Sequence, residues 1–222
     1  MKKYAIIVAG GSGSRMNSAT PKQFLLLNSK PVLYYAIHAF LKTFADCTII
    51  LVLPEEHIAA GQEIIDAFFD YKNIKIVVGG RTRFHSVQNG LAQIPEEDNV
   101  IFVHDAVRPM ISTALINRCY ESVLQYGTAI PVLDCKDSVR QINDSGNDAI
   151  DRNFIKLVQT PQAFHGKILK PSFNIDYKDK FTDEATVVEA FGLKISLVQG
   201  DEENIKITKP LDLTLAEALL KS

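Results

Sequence analysis

This chain is poor in several features, and each shortage removes a class of protein. It has no basic excess, because 24 lysines and arginines stand against 26 aspartates and glutamates, for a net charge of −2. A protein whose main work is gripping nucleic acid carries cations to match the phosphates, so that class is set aside. Cysteine is scarce: Cys47, Cys119 and Cys135 are far apart and odd in number. They form neither a disulfide framework nor a paired zinc spacing, and they read as free thiols in a reducing cytoplasm. No apolar run approaches the roughly 18 residues needed to span a bilayer. The opening stretch YAIIVA is too short for a signal peptide and runs directly into a glycine-rich loop. Internal repeats, low-complexity tracts and linkers are also missing. A cytoplasmic protein is expected, with no nucleic acid and no membrane among its partners.

What is present is an alternating rhythm. YAIIVA (4–9), TIILVL (48–53), IKIVV (74–78), VIFVH (100–104) and TAIPV (128–132) are short runs rich in β-branched residues. They are apolar throughout, as strands buried on both faces of a parallel sheet are. Between them lie segments of helical period. In PVLYYAIHAFLK, Pro31 suits a first helical turn, and Val32, Tyr35, Ala36, Ala39 and Phe40 fall on one stripe. Ile58 to Phe69, Ser86 to Ile94 and Thr113 to Leu124 repeat the pattern. At 222 residues the chain fits one domain. The fold class expected is α/β, a single Rossmann-like, doubly wound and mostly parallel sheet over residues 1–222.

After Pro131 the rhythm breaks. DSVRQINDSGNDAIDRNFIKL alternates apolar and polar residues around an Asn-Asp-Ser-Gly-Asn turn signal, which predicts a β-hairpin. Isolated hairpins are marginal in water, so this arm, at about 136–158, is expected to pack on something else. A second copy of the chain is the commonest partner, making a homodimer. The chain then returns to a helix (Asp183 to Phe191), a strand (Lys194 to Val198) and a closing helix (Pro210 to Leu220).

The loop GGSGSRM (10–16) follows the first strand and resists two familiar phosphate motifs. A dinucleotide fingerprint from Gly11 would need a third glycine where Met16 stands, and a Walker loop would need a terminal Gly-Lys-Ser/Thr. What remains is a run of free backbone N–H groups near Ala9, Gly10, Gly11 and Gly13, with two cations, Arg15 and Lys22. Such a set suits a triphosphate, whose charge is spread over three groups. A tight βα turn with solvated Arg and Lys is the alternative. Asp105 and Arg108, in VHDAVRP, fall at the carboxyl end of the fourth strand, where open α/β sheets place ligands. Asp105 would accept from substrate hydroxyls or help hold Mg²⁺, or else pair with Arg108 across a turn. His104 reads as packed, since no second histidine lies at metal-binding spacing. Gly79 and Gly80 end the third strand, and glycine lets a flat base lie against backbone.

AIIVAGGSGSRM…PKQF resembles the signature of the nucleotidyltransferases that join a nucleotide to a sugar or polyol phosphate. GGRTRFHSVQNGL (79–91), VHDAVRP (103–109), DRNFIKLVQTPQAF (151–164), TDEA (182–185) and NIKITKP (204–210) follow in the order seen in the 2-C-methyl-D-erythritol 4-phosphate cytidylyltransferase family. The resemblance covers essentially the whole chain and is to the stand-alone form of the enzyme. It implies CTP and a polyol phosphate as substrates, with Mg²⁺ bound mainly through the CTP phosphates and no metal ligand assigned on the protein. It further implies that the Gly79–Gly80 region, with Arg83 and Ser86, recognises cytosine; Arg81 departs from the acidic residue of some relatives. Arg152, Thr160, Thr182 and Lys206, scattered in the sequence, would surround the acceptor phosphate. Arg15, Lys22, Arg152 and Lys206 become the catalytic candidates. A ribitol 5-phosphate cytidylyltransferase and a non-catalytic nucleotide-binding module are the alternatives. The stretch Phe154 to Val158 is closer to the methylerythritol enzyme, and an Asp-x-Asp metal triplet of glycosyltransferase type does not occur.

Overall fold

The computed structural model of the protein describes residues 1–11, 20–69, 71–96 and 98–221. In chain order its first strands are β1 (Lys2–Val8), β2 (Leu26–Leu27), β3 (Lys30–Pro31), β4 (Thr48–Leu53), β5 (Ile74–Val78) and β6 (Asn99–Asp105). They are followed by β7 (Thr128–Asp134), β8 (Val139–Asn143), β9 (Gly146–Ile150), β10 (Lys156–Val158), β11 (Gln162–His165) and β12 (Leu197–Gln199). The helices are α1 (Val32–Thr43), α2 (Ile58–Phe68), α3 (Arg83–Leu91), α4 (Thr113–Tyr126), α5 (Gly166–Ser172), α6 (Glu184–Ala190) and α7 (Pro210–Leu219).

The expected parallel centre is present. β1 pairs in parallel with β4 and with β6, and β4 pairs in parallel with β5. Alternate residues of these strands feed two core layers, because successive side chains point to opposite faces. Ala5, Ile7, Ile49 and Leu51 pack with Leu33, Ile37 and Phe40 of α1, while Ile6, Ile50 and Val52 pack with Phe84, Val87 and Leu91 of α3. With helices on both faces the sheet is doubly wound. Phe40 is fully buried, and its truncation to Ala would cost about 3–5 kcal/mol. Gly90 lets α3 approach closely, since a Cβ there would come within 2.9 Å of Ile6 Cγ2 and 3.3 Å of Val52 Cγ2.

Several boundaries differ from the sequence reading. The buried stripe of α1 is Leu33, Ala36, Ile37 and Phe40, while Tyr35 and Ala39 are only half-buried. Tyr35 turns aside to donate its hydroxyl to Leu27 O at 2.6 Å. Helix α3 starts at Arg83, three residues before Ser86, because the Thr82 side chain caps it by accepting from His85 N. The last strand begins at Leu197, not Lys194, and pairs in parallel with β7. β11 was not foreseen: it inserts antiparallel between β6 and β7.

The arm is shorter than predicted. The hairpin is β8 and β9 alone, with Val139 opposite Ile150 and Ile142 opposite Asn147. Asp151 then caps a 3-10 turn at Arg152–Phe154, its side chain accepting from Asn153 N at 3.0 Å, and this ends the strand. Lys156–Val158 rejoins the main sheet as β10, antiparallel to β7. Val139 and Ile142 are an odd number of residues apart and point to opposite faces, so the hairpin has no single apolar face. Ile142 is 78% exposed and Phe154, just past the hairpin, 84%.

Candidate functional site

The four parallel strands end together at one cavity of about 630 Å³, within the range of nucleotide-sized sites. β1 lies between β4 and β6, so the chain reverses its direction of winding at the β1–β6 boundary, and ligands of open α/β sheets bind in the crevice there. Backbone bonds tie the strand ends to one another. Ala9 N donates to Val52 O at 2.9 Å, Ala106 N to Val8 O at 3.0 Å, and Gly79 N to Leu53 O at 2.7 Å.

The cavity collects most of the predicted residues. Ala9, Gly10 and Gly11 enter from β1, and Lys22 from a 3-10 turn. Gly79, Gly80, Arg83 and Ser86 enter from the β5–α3 connection, and Asp105 and Lys206 complete the far wall. Arg81 is also on the wall, its Nε 3.4 Å from His85 Nε2. Gly13 and Arg15 lie outside the described residues. Gly80 is required where it stands: a Cβ there would lie 2.9 Å from the His85 carbonyl carbon. Ser86 accepts from Gly80 N at 3.1 Å and donates to Thr82 O at 3.0 Å, which shapes the loop before α3.

Four predicted residues do not line this cavity. Arg108 lies behind Asp105, donating from Nη1 to Asn204 O at 2.8 Å. Thr160 is buried beneath it. Thr182 is exposed just before α6. Arg152 is exposed at the root of the arm and donates to Lys136 O at 2.6 Å.

Asp105 is the electrostatic centre. Lys206 Nζ is 2.8 Å from Oδ2, Arg83 Nη2 is 3.3 Å from Oδ1, and Arg108 Nε is 3.8 Å from Oδ2. Burial opposes ionisation of Asp105, but Arg83, Lys206 and Arg108 together hold its carboxyl well below the usual range. The pairing with Arg108 foreseen from the sequence is therefore one of three. Both oxygens of Asp105 are thus matched by cations. Among the described residues, no group of three or more His, Cys, Asp or Glu side chains could hold a metal ion.

A hydrogen-bond chain runs below Asp105. Its backbone N–H donates to Thr160 Oγ1 at 3.1 Å, Thr160 Oγ1 lies 3.1 Å from His104 Nδ1, and His104 Nε2 lies 3.1 Å from Arg108 O. Arg108 O can only accept, so Nε2 carries the proton and Nδ1 accepts from the Thr160 hydroxyl. His104 is a packed residue, as expected. Burial pushes it down to about 4, so it is neutral at pH 7.

The sequence reading missed two buried residues. Gln23 donates to Ala9 O at 2.8 Å and braces the start of the glycine loop. Glu184 receives both terminal nitrogens of Arg83. Burial pushes the Glu184 carboxyl up and Arg83 draws it back only in part. An acid in the first turn of a helix is ordinary composition, so nothing in the spacing singled Glu184 out.

Comparison with known proteins agrees over the whole chain. The family model described as IspD, 2-C-methyl-D-erythritol 4-phosphate cytidylyltransferase, matches residues 4–222. The chain is 46% identical over 221 residues to the 2-C-methyl-D-erythritol 4-phosphate cytidylyltransferase of Bacteroides fragilis, covering 99% of this chain and all of that one. It is 45% identical over 220 residues to that of Phocaeicola vulgatus, with 99% and 100% covered. Among solved structures it is similar to 4-diphosphocytidyl-2C-methyl-D-erythritol synthase from Anaerococcus prevotii, with a TM-score of 0.85 at 28% identity and 100% and 99% of the two chains covered.

Proposed function

The chain belongs to the 2-C-methyl-D-erythritol 4-phosphate cytidylyltransferase family, and from that premise we propose that it transfers CMP from CTP to 2-C-methyl-D-erythritol 4-phosphate. The products are 4-diphosphocytidyl-2-C-methyl-D-erythritol and pyrophosphate, in the non-mevalonate route to isoprenoid precursors. The observation that carries the reading is one cavity with distinct walls: a glycine turn with Lys22, a glycine edge with Ser86, and the Asp105–Lys206 pair.

The nucleotide lies with its base against Gly79 and Gly80, where backbone polar groups and Ser86 read the base edge. Its triphosphate meets the backbone of Ala9, Gly10 and Gly11 and the Lys22 ammonium, and the family resemblance assigns Gly13 and Arg15 to the same phosphates. An acceptor phosphate oxygen attacks the α-phosphorus as the bond to the β-phosphate oxygen breaks, and pyrophosphate leaves. A phosphate monoester has its second pKa near 6, so the nucleophile is already largely ionised at neutral pH and no general base is needed. Catalysis rests on orientation and charge neutralisation. Arg15 and Lys22 stabilise charge on the α-phosphate and leaving group, while Lys206 and Arg152 aim the acceptor phosphate. Thr182, near the acceptor phosphate, adds a hydroxyl donor. Thr160 and Arg108 set Asp105 from behind, and Asp105 meets the acceptor's hydroxyls. Mg²⁺ bound mainly through the CTP phosphates would supply further positive charge there, beside Lys22 and Arg15.

The arm makes a homodimer in this reading. Arg152 stands outside the cavity of its own chain, and the exposed Ile142, Phe154 and Leu157 are apolar surface for a second copy to cover. The buried free thiols Cys47 and Cys119 suit the reducing cytoplasm.

The deciding experiment is pyrophosphate release from CTP with each acceptor in turn. Methylerythritol phosphate is expected to be used about tenfold or more better than ribitol 5-phosphate in kcat/KM, a margin one methyl group and its pocket can supply. The reverse preference would replace the proposed acceptor, and no release with either would remove the activity.

A further inference from the structure

The geometry points to Glu184 as a positioning residue for the acceptor half of the reaction, acting through Arg83 on the carboxylate of Asp105; this rests on the cytidylyl-transfer reading above. Glu184 is the first residue of α6 and only 1% exposed. A carboxylate so buried is costly unless matched by charge and hydrogen bonds. Its match is the fork of Arg83: Nη1 donates to Oε1, and Nη2 to Oε2 at 3.1 Å.

The same guanidinium turns its other edge to Asp105, with Nε 3.4 Å and Nη2 3.3 Å from Oδ1. A guanidinium is rigid and planar, so a pair that fixes one edge also fixes where the other edge can donate. Glu184 therefore sets the plane, and the plane holds Oδ1 of Asp105. Oδ2 faces Lys206 at 2.8 Å, with Arg108 Nε farther off at 3.8 Å. Three ion pairs in series thus fix where the Lys206 ammonium stands over the cavity, and their starting point is a residue that does not line it.

Glu184 is anchored independently of these pairs. Asp183 caps α6 in a capping box, Gln162 Nε2 donates to Asp183 Oδ2 at 2.8 Å, and Ala185 N donates to Gln162 Oε1 at 2.8 Å. Replacing the carboxylate by its amide keeps this anchorage and removes the charge that occupies Arg83. Among the described residues Arg83 then keeps Asp105 as its carboxylate partner, and Asp105 turns toward it and away from Lys206.

The test is Glu184→Gln, alone and with Arg83→Gln, in the full chain. Glu184→Gln should raise the acceptor KM about tenfold or more while the CTP KM moves less than about threefold. In the Arg83→Gln background, adding Glu184→Gln should change acceptor kcat/KM by less than about twofold, since the route is already cut. An equal loss in both backgrounds would mean that Glu184 works through the fold, and would overturn the proposal. A crystal structure of Glu184→Gln supplies a readout independent of turnover. Lys206 Nζ should lie beyond about 4 Å from Asp105 Oδ2, outside ion-pair range, over an unchanged backbone. An intact pair at its present distance overturns the positioning role. A wild-type protein inactive with the acceptor overturns the function reading instead, and leaves the crystallographic outcome to decide for Glu184.

Discussion

Arg83 and Glu184 are 101 positions apart in the chain, yet their side chains meet in a two-pronged ion pair at the back of the cavity. The pair joins the first turn of α3 to the first turn of α6 and passes its alignment on to Asp105. That wall of the cavity is thus built from residues far apart in the sequence, and its members are tested most directly by removing charges singly.

Lys22→Ala and Arg15→Ala should each lower kcat by roughly two to three orders of magnitude, about 3–4 kcal/mol, if their main work is on transition-state charge. CTP affinity should fall less. Steady-state kinetics separates the two effects, and a raised KM with kcat unchanged would assign these cations to ground-state binding.

CTP should support turnover far better than ATP or GTP, because a site that hydrogen-bonds one base edge leaves its polar groups unpaired with another. The comparison is of kcat/KM for pyrophosphate release at a saturating acceptor concentration. Equal rates with a purine nucleotide would end the base-reading role of Gly79, Gly80 and Ser86.

Arg152 should complete the neighbouring chain's site. Arg152→Ala and Lys22→Ala proteins, each inactive alone, should regain about a quarter of wild-type activity after random equal mixing, because half the dimers are mixed and each has one intact site of two. Silence despite proven subunit exchange would return Arg152 to its own chain, and a monomer by sedimentation would remove the arm-exchange model.

Acid should act on the fold through His104 before it reaches Asp105. The folded imidazole titrates at about 4, below its ordinary 6.5, so the unfolded chain binds the extra proton between these values. Stability therefore falls as pH drops from 6.5 to 4, by about 3 kcal/mol from this residue. Asp105 contributes only below its ordinary 3.8, as its depressed folded value requires. Urea unfolding at pH 7 and pH 4 measures the difference. His104→Gln keeps one donor and one acceptor without titrating, and should lose about 3 kcal/mol less than wild type over that interval. Equal losses would refute the assignment.

The sequence alone determined the central sheet and the end of it at which the cavity lies. Runs such as TIILVL and VIFVH, short and rich in β-branched residues, read as strands with both faces covered, and the glycines after β1 and β5 fall at the cavity. These are local signals, because hydrophobic period and glycine placement act within a few residues. Only the tertiary structure decided the rest. β11 enters the sheet because β6 and β7 leave an edge between them to be paired, which no property of Gln162–His165 announces. Arg152 leaves the hairpin because Asp151 caps a turn there, although the alternating pattern runs on. Glu184 and Arg83 become one unit because folding buries a carboxylate that needs a cation, and the cation comes from a distant helix start. Long-range partners are chosen by burial and charge once the chain has closed on itself, and spacing along the sequence does not record that choice.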